Sequence, residues 1–322
     1  LMLSSKLRYT VPTPVRDGFG QALLELGAEN DDVLAMAADL SSSIRVHWFA
    51  EKYPERFIQM GISESDMVGV AAGLSFTGFI PFVTTFSVFA TSLANQTVRL
   101  SVAYNEANVK IAVSHAGITV GPDGATHQAF EDIALMRSIP GMVVLSPADA
   151  NQAYDATVVA TKYRGPVFLR MARGATDITP NNEPGFEIGR SYPVTEGADI
   201  ALLATGSGVQ LAVAAEKELR ARGTSSTVIN VATIKPLDED TILAAARRCG
   251  AVVTVEEHSV IGGLGGAVAE LLSRTTPTPQ EYVGVQDTFG ESGEADEILE
   301  KYGITAARVV EAAERAVKRK AT

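Results

Sequence analysis

Phe57-Ile58-Gln59-Met60-Gly61-Ile62-Ser63-Glu64-Ser65-Asp66-Met67-Val68-Gly69-Val70-Ala71-Ala72-Gly73-Leu74-Ser75-Phe76 decides the fold class. It opens as a short strand candidate (57–61), breaks, and continues as a helix rich in small residues (64–76), where Ala71, Ala72 and Gly73 allow close packing. A second short run, 81–84, follows. Strand, helix and strand in this order make a parallel-sheet unit, because parallel strands need a crossover of about a dozen residues between them. The alternation recurs on both sides, with strand candidates at 33–37, 109–113, 142–145 and 166–170. Upstream, Thr13 is placed to cap a helix and Pro14 to occupy its first turn, the helix running over 15–26 and ending at Gly27. Ser146-Pro147-Ala148-Asp149 opens another helix.

Between residues 176 and 197 the periodicity fails. Thr179-Pro180-Asn181-Asn182-Glu183-Pro184-Gly185 is turn chemistry. The expected boundary therefore divides the chain into domains 1–187 and 188–322. A second α/β unit follows, with strands at 200–204, 226–230 and 251–255. Asp238 caps a helix ending near Gly250. A last helix starts at Thr305 and carries Val309, Val310, Ala313 and Val317. The expectation is two α/β domains, each a mainly parallel sheet flanked by helices.

At 322 residues the chain has the length of two such domains. Its 46% apolar and 20% charged residues fit a soluble globular protein, and no apolar run reaches a membrane span. The net charge of −11 opposes a nucleic-acid surface, which needs a basic stripe. Residues 1–10 lack a basic patch followed by an apolar core, so a secretory signal is not expected and a cytoplasmic location is. Leu1-Met2 reads as an addition ahead of the native start. The single cysteine, Cys249, excludes a disulfide framework and reads as a buried thiol at a helix end.

Three motifs carry chemistry. Gly61-Ile62-Ser63-Glu64 sits at a strand-to-helix junction, where open α/β sheets place ligands; Glu64 and Asp66 there could also serve only the helix dipole. Phe86 and Phe89 come just after a strand, in a place equally suited to core packing. Ser114-His115-Ala116-Gly117-Ile118-Thr119-Val120-Gly121-Pro122-Asp123-Gly124-Ala125-Thr126-His127-Gln128 puts two of the four histidines and an aspartate in one glycine-rich loop, a pattern favouring a site. Glycines 262, 263, 265 and 266 lack the register of a dinucleotide fingerprint, and no strand feeds directly into them. They read as a structural loop, and neighbouring His258 as a structural histidine.

In this order and spacing the motifs resemble the pyrimidine-binding and C-terminal domains of the transketolase family. Glu64 matches the glutamate of a G-x-x-E element, Thr84-Thr85-Phe86 an aromatic platform, and His115 to His127 an H-x(7)-D-G-x-T-H-Q element. Ala204-Thr205-Gly206-Ser207, Lys235-Pro236-Leu237-Asp238 and Glu256-Glu257-His258-Ser259 agree in the second half. The resemblance implies thiamine diphosphate as cofactor, with Glu64 hydrogen-bonded to N1′ of its aminopyrimidine, Phe86 stacked on that ring and Phe89 walling the pocket. It implies transfer of a two-carbon ketol unit between sugar phosphates. His127 would contact the reacting end of the donor, and Asp123 the hydroxyl beside the acceptor's carbonyl. Arg16, Ser43, His115 and Arg173 would clamp a terminal phosphate.

The family's Gly-Asp-Gly element for Mg2+ and diphosphate does not occur, so the chain is expected to bind no metal itself. It is expected to pair with an N-terminal diphosphate-binding subunit and to self-associate as a dimer within a two-plus-two assembly. The small-residue helix, Ala72 included, is the expected contact surface. Competing readings are half of a deoxyxylulose-phosphate synthase, the β subunit of a 2-oxoacid dehydrogenase, and a non-catalytic scaffolding subunit. Ser114-His115 stands where the first of these usually has Asp-Arg.

Overall fold

Strands β2 (Val33–Ala37), β4 (Ile80–Phe86) and β5 (Lys110–Ser114) are buried on both faces almost throughout, because helices cover both sides of the sheet they share. The computed structural model describes residues 9–180 and 185–320. The reading of Leu1-Met2, and that of the turn as far as residues 181–184 form it, lie outside these residues. The first sheet also contains β3 (Phe57–Gln59), β6 (Val143–Leu145) and β7 (Val167–Arg170). A short antiparallel pair, β1 (Thr13–Pro14) and β8 (Ala175–Thr176), stands beside it. The second domain supplies β9 (Tyr192–Thr195), β10 (Ile200–Ala204), β11 (Ser226–Asn230), β12 (Thr233–Lys235), β13 (Val252–Ser259) and β14 (Gln280–Val285).

The first sheet has the order β12-β6-β7-β5-β4-β2-β3 and the second β14-β13-β10-β11-β9. All pairings are parallel except β12 with β6 and β9 with β11. The two-domain α/β reading therefore holds, with one addition. Strand β12 follows the second domain's β11 in sequence yet closes the edge of the first domain's sheet. The domains thus share backbone hydrogen bonds, and one hydrophobic cluster runs from Val83 and Ile111 through to Ile242 and Leu271.

Several local expectations change. Thr13 does not cap the first helix, Val15–Glu29; its hydroxyl donates to the carbonyl of Val11 at 2.9 Å, and Pro14 itself is the N-cap. Gly27 lies inside that helix. A Cβ there would come 2.5 Å from the Tyr53 ring and 2.6 Å from the Phe49 ring, so glycine permits close packing and does not end the helix. Strand β4 runs on to Phe86, which places that ring at the strand's carboxyl end. Strand β13 runs to Ser259, so a strand does lead towards the glycine loop. Asp238 caps its helix through a side-chain oxygen, as expected, and Asp149 and Thr305 do the same at the two other expected helix starts. Ala71 and Ala72 face the monomer's own core, whereas Gly73 is exposed and Gly69 is half-buried against Thr97.

Candidate active site

The carboxyl ends of β3, β4, β5 and β7 lie along one edge of the sheet, and each delivers a functional side chain there. Glu64 is the first residue of the helix Glu64–Phe76 and is only 5% exposed. The Thr85 hydroxyl, on β4, donates to Glu64 Oε1 at 3.5 Å. Phe86 follows directly, and Phe89 opens the next turn with its ring nearly parallel to that of Phe86, centroids 5.9 Å apart. The His127 ring stands edge-on to Phe89 at 5.3 Å. A buried acid, two aromatic rings and an imidazole thus converge.

His115, the residue after β5, adopts a left-handed backbone (φ 58°) that turns its ring back over the strand end. The ring stacks on Phe86 at 3.8 Å. The Arg16 guanidinium donates to Nε2 at 3.5 Å and Nδ1 is 2.8 Å from the Ser114 hydroxyl. Because arginine can only donate, Nε2 accepts and the proton sits on Nδ1. Burial, then the charges of Arg16 and Arg173, hold the His115 pKa down at about 3. Burial, followed by Arg45, also pushes the Arg16 guanidinium below its usual value, and Arg16 Nε is buried without a partner. Arginines and carboxylates alternate here. Arg45 pairs with Asp17 at 2.6 Å, and Arg173 is 3.9 Å from Asp123. A cleft of about 420 Å³ opens beside Arg16 and Arg173, lined also by Thr119, Gly121 and Glu294. Two arginines lining an open cleft suit a tetrahedral oxyanion, which arginine holds through paired hydrogen bonds.

Glu64, Phe86, Phe89, His115, His127, Arg16, Asp123 and Arg173 are therefore brought to one edge. Ser43 is not brought into this network: it lies in the turns of residues 41–46, and the residue that segment delivers is Arg45. His115 covers one face of the Phe86 ring, and half-buried Phe89 is the more exposed of the two rings. Arg45, Thr85 and Ser114 were missed. Thr85 and Ser114 adjoin motif residues, whereas Arg45 enters only through a left-handed turn (φ 68°) that composition does not reveal. His258 is fully buried, its Nδ1 donating to the Ser259 carbonyl at 2.7 Å and its Nε2 accepting from the Ala134 amide at 3.3 Å, a structural role. The helix start at the glycine loop is filled from within, because the amides of Leu264 and Gly265 donate to the Glu256 carboxylate at 2.7 and 2.8 Å.

Residues 12–178 match the transketolase pyrimidine-binding domain and residues 189–309 the transketolase C-terminal domain. The chain belongs to the transketolase family. Within that family it is a transketolase-type transferase subunit made of these two domains. It is 45% identical over 293 residues to a Methanocaldococcus jannaschii protein provisionally named transketolase C-terminal section, covering 90% of this chain and 92% of that one. It is 42% identical to the 6-deoxy-6-sulfo-D-fructose transketolase subunit of a Clostridium species, covering 95% of each. Among solved structures it resembles a split-gene transketolase described as an inactive β4 tetramer, at 46% identity and a TM-score of 0.89, covering 95% of this chain and 99% of that one. The family depends on thiamine diphosphate. Glu64, with the hydroxyl of Thr85 as its hydrogen-bond partner, and the Phe89 ring fit the aminopyrimidine half of that cofactor. Among the described residues no helix is long and apolar enough to cross a membrane.

Proposed function

We propose that this chain is the pyrimidine-side subunit of a two-subunit transketolase, moving a two-carbon ketol unit from a ketose phosphate to an aldose phosphate. The observation that carries this reading is the convergence of a buried Glu64, the Phe89 ring and His127 beside the cleft lined by Arg16 and Arg173. Thiamine diphosphate, when bound, supplies the carbon–carbon bond chemistry. Glu64 holds a proton shared with N1′ of the pyrimidine, and Phe89 presents a ring face for stacking. His127 reaches the carbonyl end of the donor, and Asp123 reads the hydroxyl next to the acceptor's carbonyl. Arg16 and Arg173 bind the terminal phosphate, while His115, kept neutral by its surroundings, donates no competing charge and buttresses Arg16 and Phe86.

The diphosphate and Mg2+ belong in this reading to an N-terminal partner subunit. Its support is relatives of the same span that are named as a section or a subunit of a transketolase. A dimer of this chain within a two-plus-two assembly is also proposed. Exposed Ile62, Phe76, Leu93 and Leu100, with the exposed Gly73, suit such contacts. Sugar phosphates as substrates suit a cytoplasmic enzyme. Donor choice tests the reading. With a diphosphate-binding subunit, cofactor and Mg2+, a ketose phosphate and an aldose phosphate should exchange two carbons. Product from pyruvate and an aldehyde alone, or from a 2-oxoacid with a lipoyl acceptor, would replace it with one of the competing activities.

A further inference from the structure

Glu257, on β13 of the C-terminal domain, reaches across the domain boundary into the histidine loop. Its Oε2 accepts the backbone amide of Thr119 at 3.1 Å and the Thr119 hydroxyl at 2.8 Å. Its Oε1 accepts the Ser207 hydroxyl from its own domain. The side chain is 3% exposed. Gly117 packs directly on it: a Cβ there would come 2.7 Å from Glu257 Oε2 and 2.8 Å from Glu257 Cβ. The backbone carbonyl of Glu257 is fixed as well, by the Arg170 guanidinium at 2.8 Å, and Arg170 is paired with buried Asp132 at 2.7 Å. Asp132 in turn accepts from Ser87, the residue after Phe86, at 2.6 Å.

The consequence lies one residue downstream. The Val120 carbonyl accepts a hydrogen bond from Arg173 Nη1, and Asp123 closes the same turn against Arg173. Glu257 holds both the Ile118–Thr119 peptide, through the Thr119 amide, and the Thr119 side chain, and so anchors the backbone one residue before the Val120 carbonyl that orients the Arg173 guanidinium. We infer that Glu257 is a positioning residue for substrate recognition, by which the C-terminal domain holds the oxyanion clamp of the first domain in register. It does not touch the substrate. The inference rests on the reading of Arg16 and Arg173 as that clamp, and it gives the C-terminal domain a direct part in recognising the anionic end of the substrate. A carboxylate suits the task because three donors converge on it, and buried charge-assisted hydrogen bonds resist displacement of the loop. Small misplacements of binding groups cost affinity steeply.

Titrating the full chain with inorganic phosphate by calorimetry tests this. The wild-type chain should bind, Arg173→Ala should abolish binding, and Glu257→Ala should weaken it roughly 10-fold. Glu257→Gln should recover most of the loss, since an amide oxygen still accepts from Thr119 while its NH2 donates to Ser207. If Glu257→Ala does not fold, Thr119→Val serves instead, removing one hydrogen bond to Glu257 and leaving Ser207 in place, with a loss of several-fold expected. Binding lost in Arg173→Ala but unchanged in both Glu257→Ala and Thr119→Val overturns the positioning role alone. No phosphate binding by the wild type, or none lost in Arg173→Ala, overturns the clamp reading and this inference with it.

Discussion

Replacing Arg173 by alanine separates recognition of a phosphate from recognition of a sugar. Arg173 spends one N–H on the Val120 carbonyl and leaves the rest of its fork towards the cleft it shares with Arg16. A charge-assisted hydrogen bond contributes about 1.5–3 kcal/mol, so its loss should raise KM for a phosphorylated sugar roughly 10–100-fold. KM for the unphosphorylated analogue should change little, and kcat should stay within a few-fold. The same substitution removes one of the charges holding the His115 pKa at about 3, so that value should rise towards the ordinary 6.5. The sign of the stability effect follows. Between those two values the unfolded chain binds the proton and the folded chain does not. His115 therefore costs the native state stability as pH falls from about 6.5 to about 3, by up to about 1.4 kcal/mol per pH unit. In Arg173→Ala that window should close from the acid side. Paired steady-state kinetics on the two sugars, with an NMR titration of the His115 ring, measure both effects. Equal loss on both sugars, with an unmoved His115, would refute the clamp geometry and make Arg173 a structural residue.

Three further outcomes follow from other parts of the molecule. Glu64→Gln should lower kcat about 10²–10⁴-fold in the assembled enzyme with its melting temperature intact, whereas wild-type turnover would remove Glu64 from the chemistry. Lys110, 1% exposed, donates at 2.7 Å to Asn108 Oδ1 and to the carbonyls of Tyr163 and Gly165, so Lys110→Met should strand these acceptors and cost about 3 kcal/mol in urea unfolding. Sedimentation should give a dimer near 68 kDa, twice the 34.0 kDa chain, and exposed Leu93→Arg should shift it towards monomer; a variant that stays dimeric moves the interface elsewhere.

Much of this architecture is legible in local chemistry. β-branched runs buried on both faces read as strands, and Asp149, Asp238 and Thr305 announce helix starts because a cap is a contact within three residues. One misreading is local, since the Thr13 hydroxyl turns back to Val11 and does not cap the helix; the others concern contacts that are distant in sequence. Gly27 reads as a helix end until the rings of Phe49 and Tyr53 are seen against it. The edge strand β12 is too short to be visible without its partner β6. Ala72 has the composition of an interface residue and the position of a core one. Within the site, Glu64, His115 and His127 stand in motifs, whereas Glu257 meets Thr119 across 138 residues, a juxtaposition only the assembled domains create.

In the proposed reading this chain completes an active site only together with a diphosphate-binding subunit. Ketol transfer measured at fixed chain concentration while that subunit is added, with thiamine diphosphate and Mg2+ saturating, tests it most directly. No turnover by the chain alone is expected, and a linear rise to a plateau at one partner per chain. Full turnover by the chain alone, or a rate indifferent to the added subunit, would contradict it.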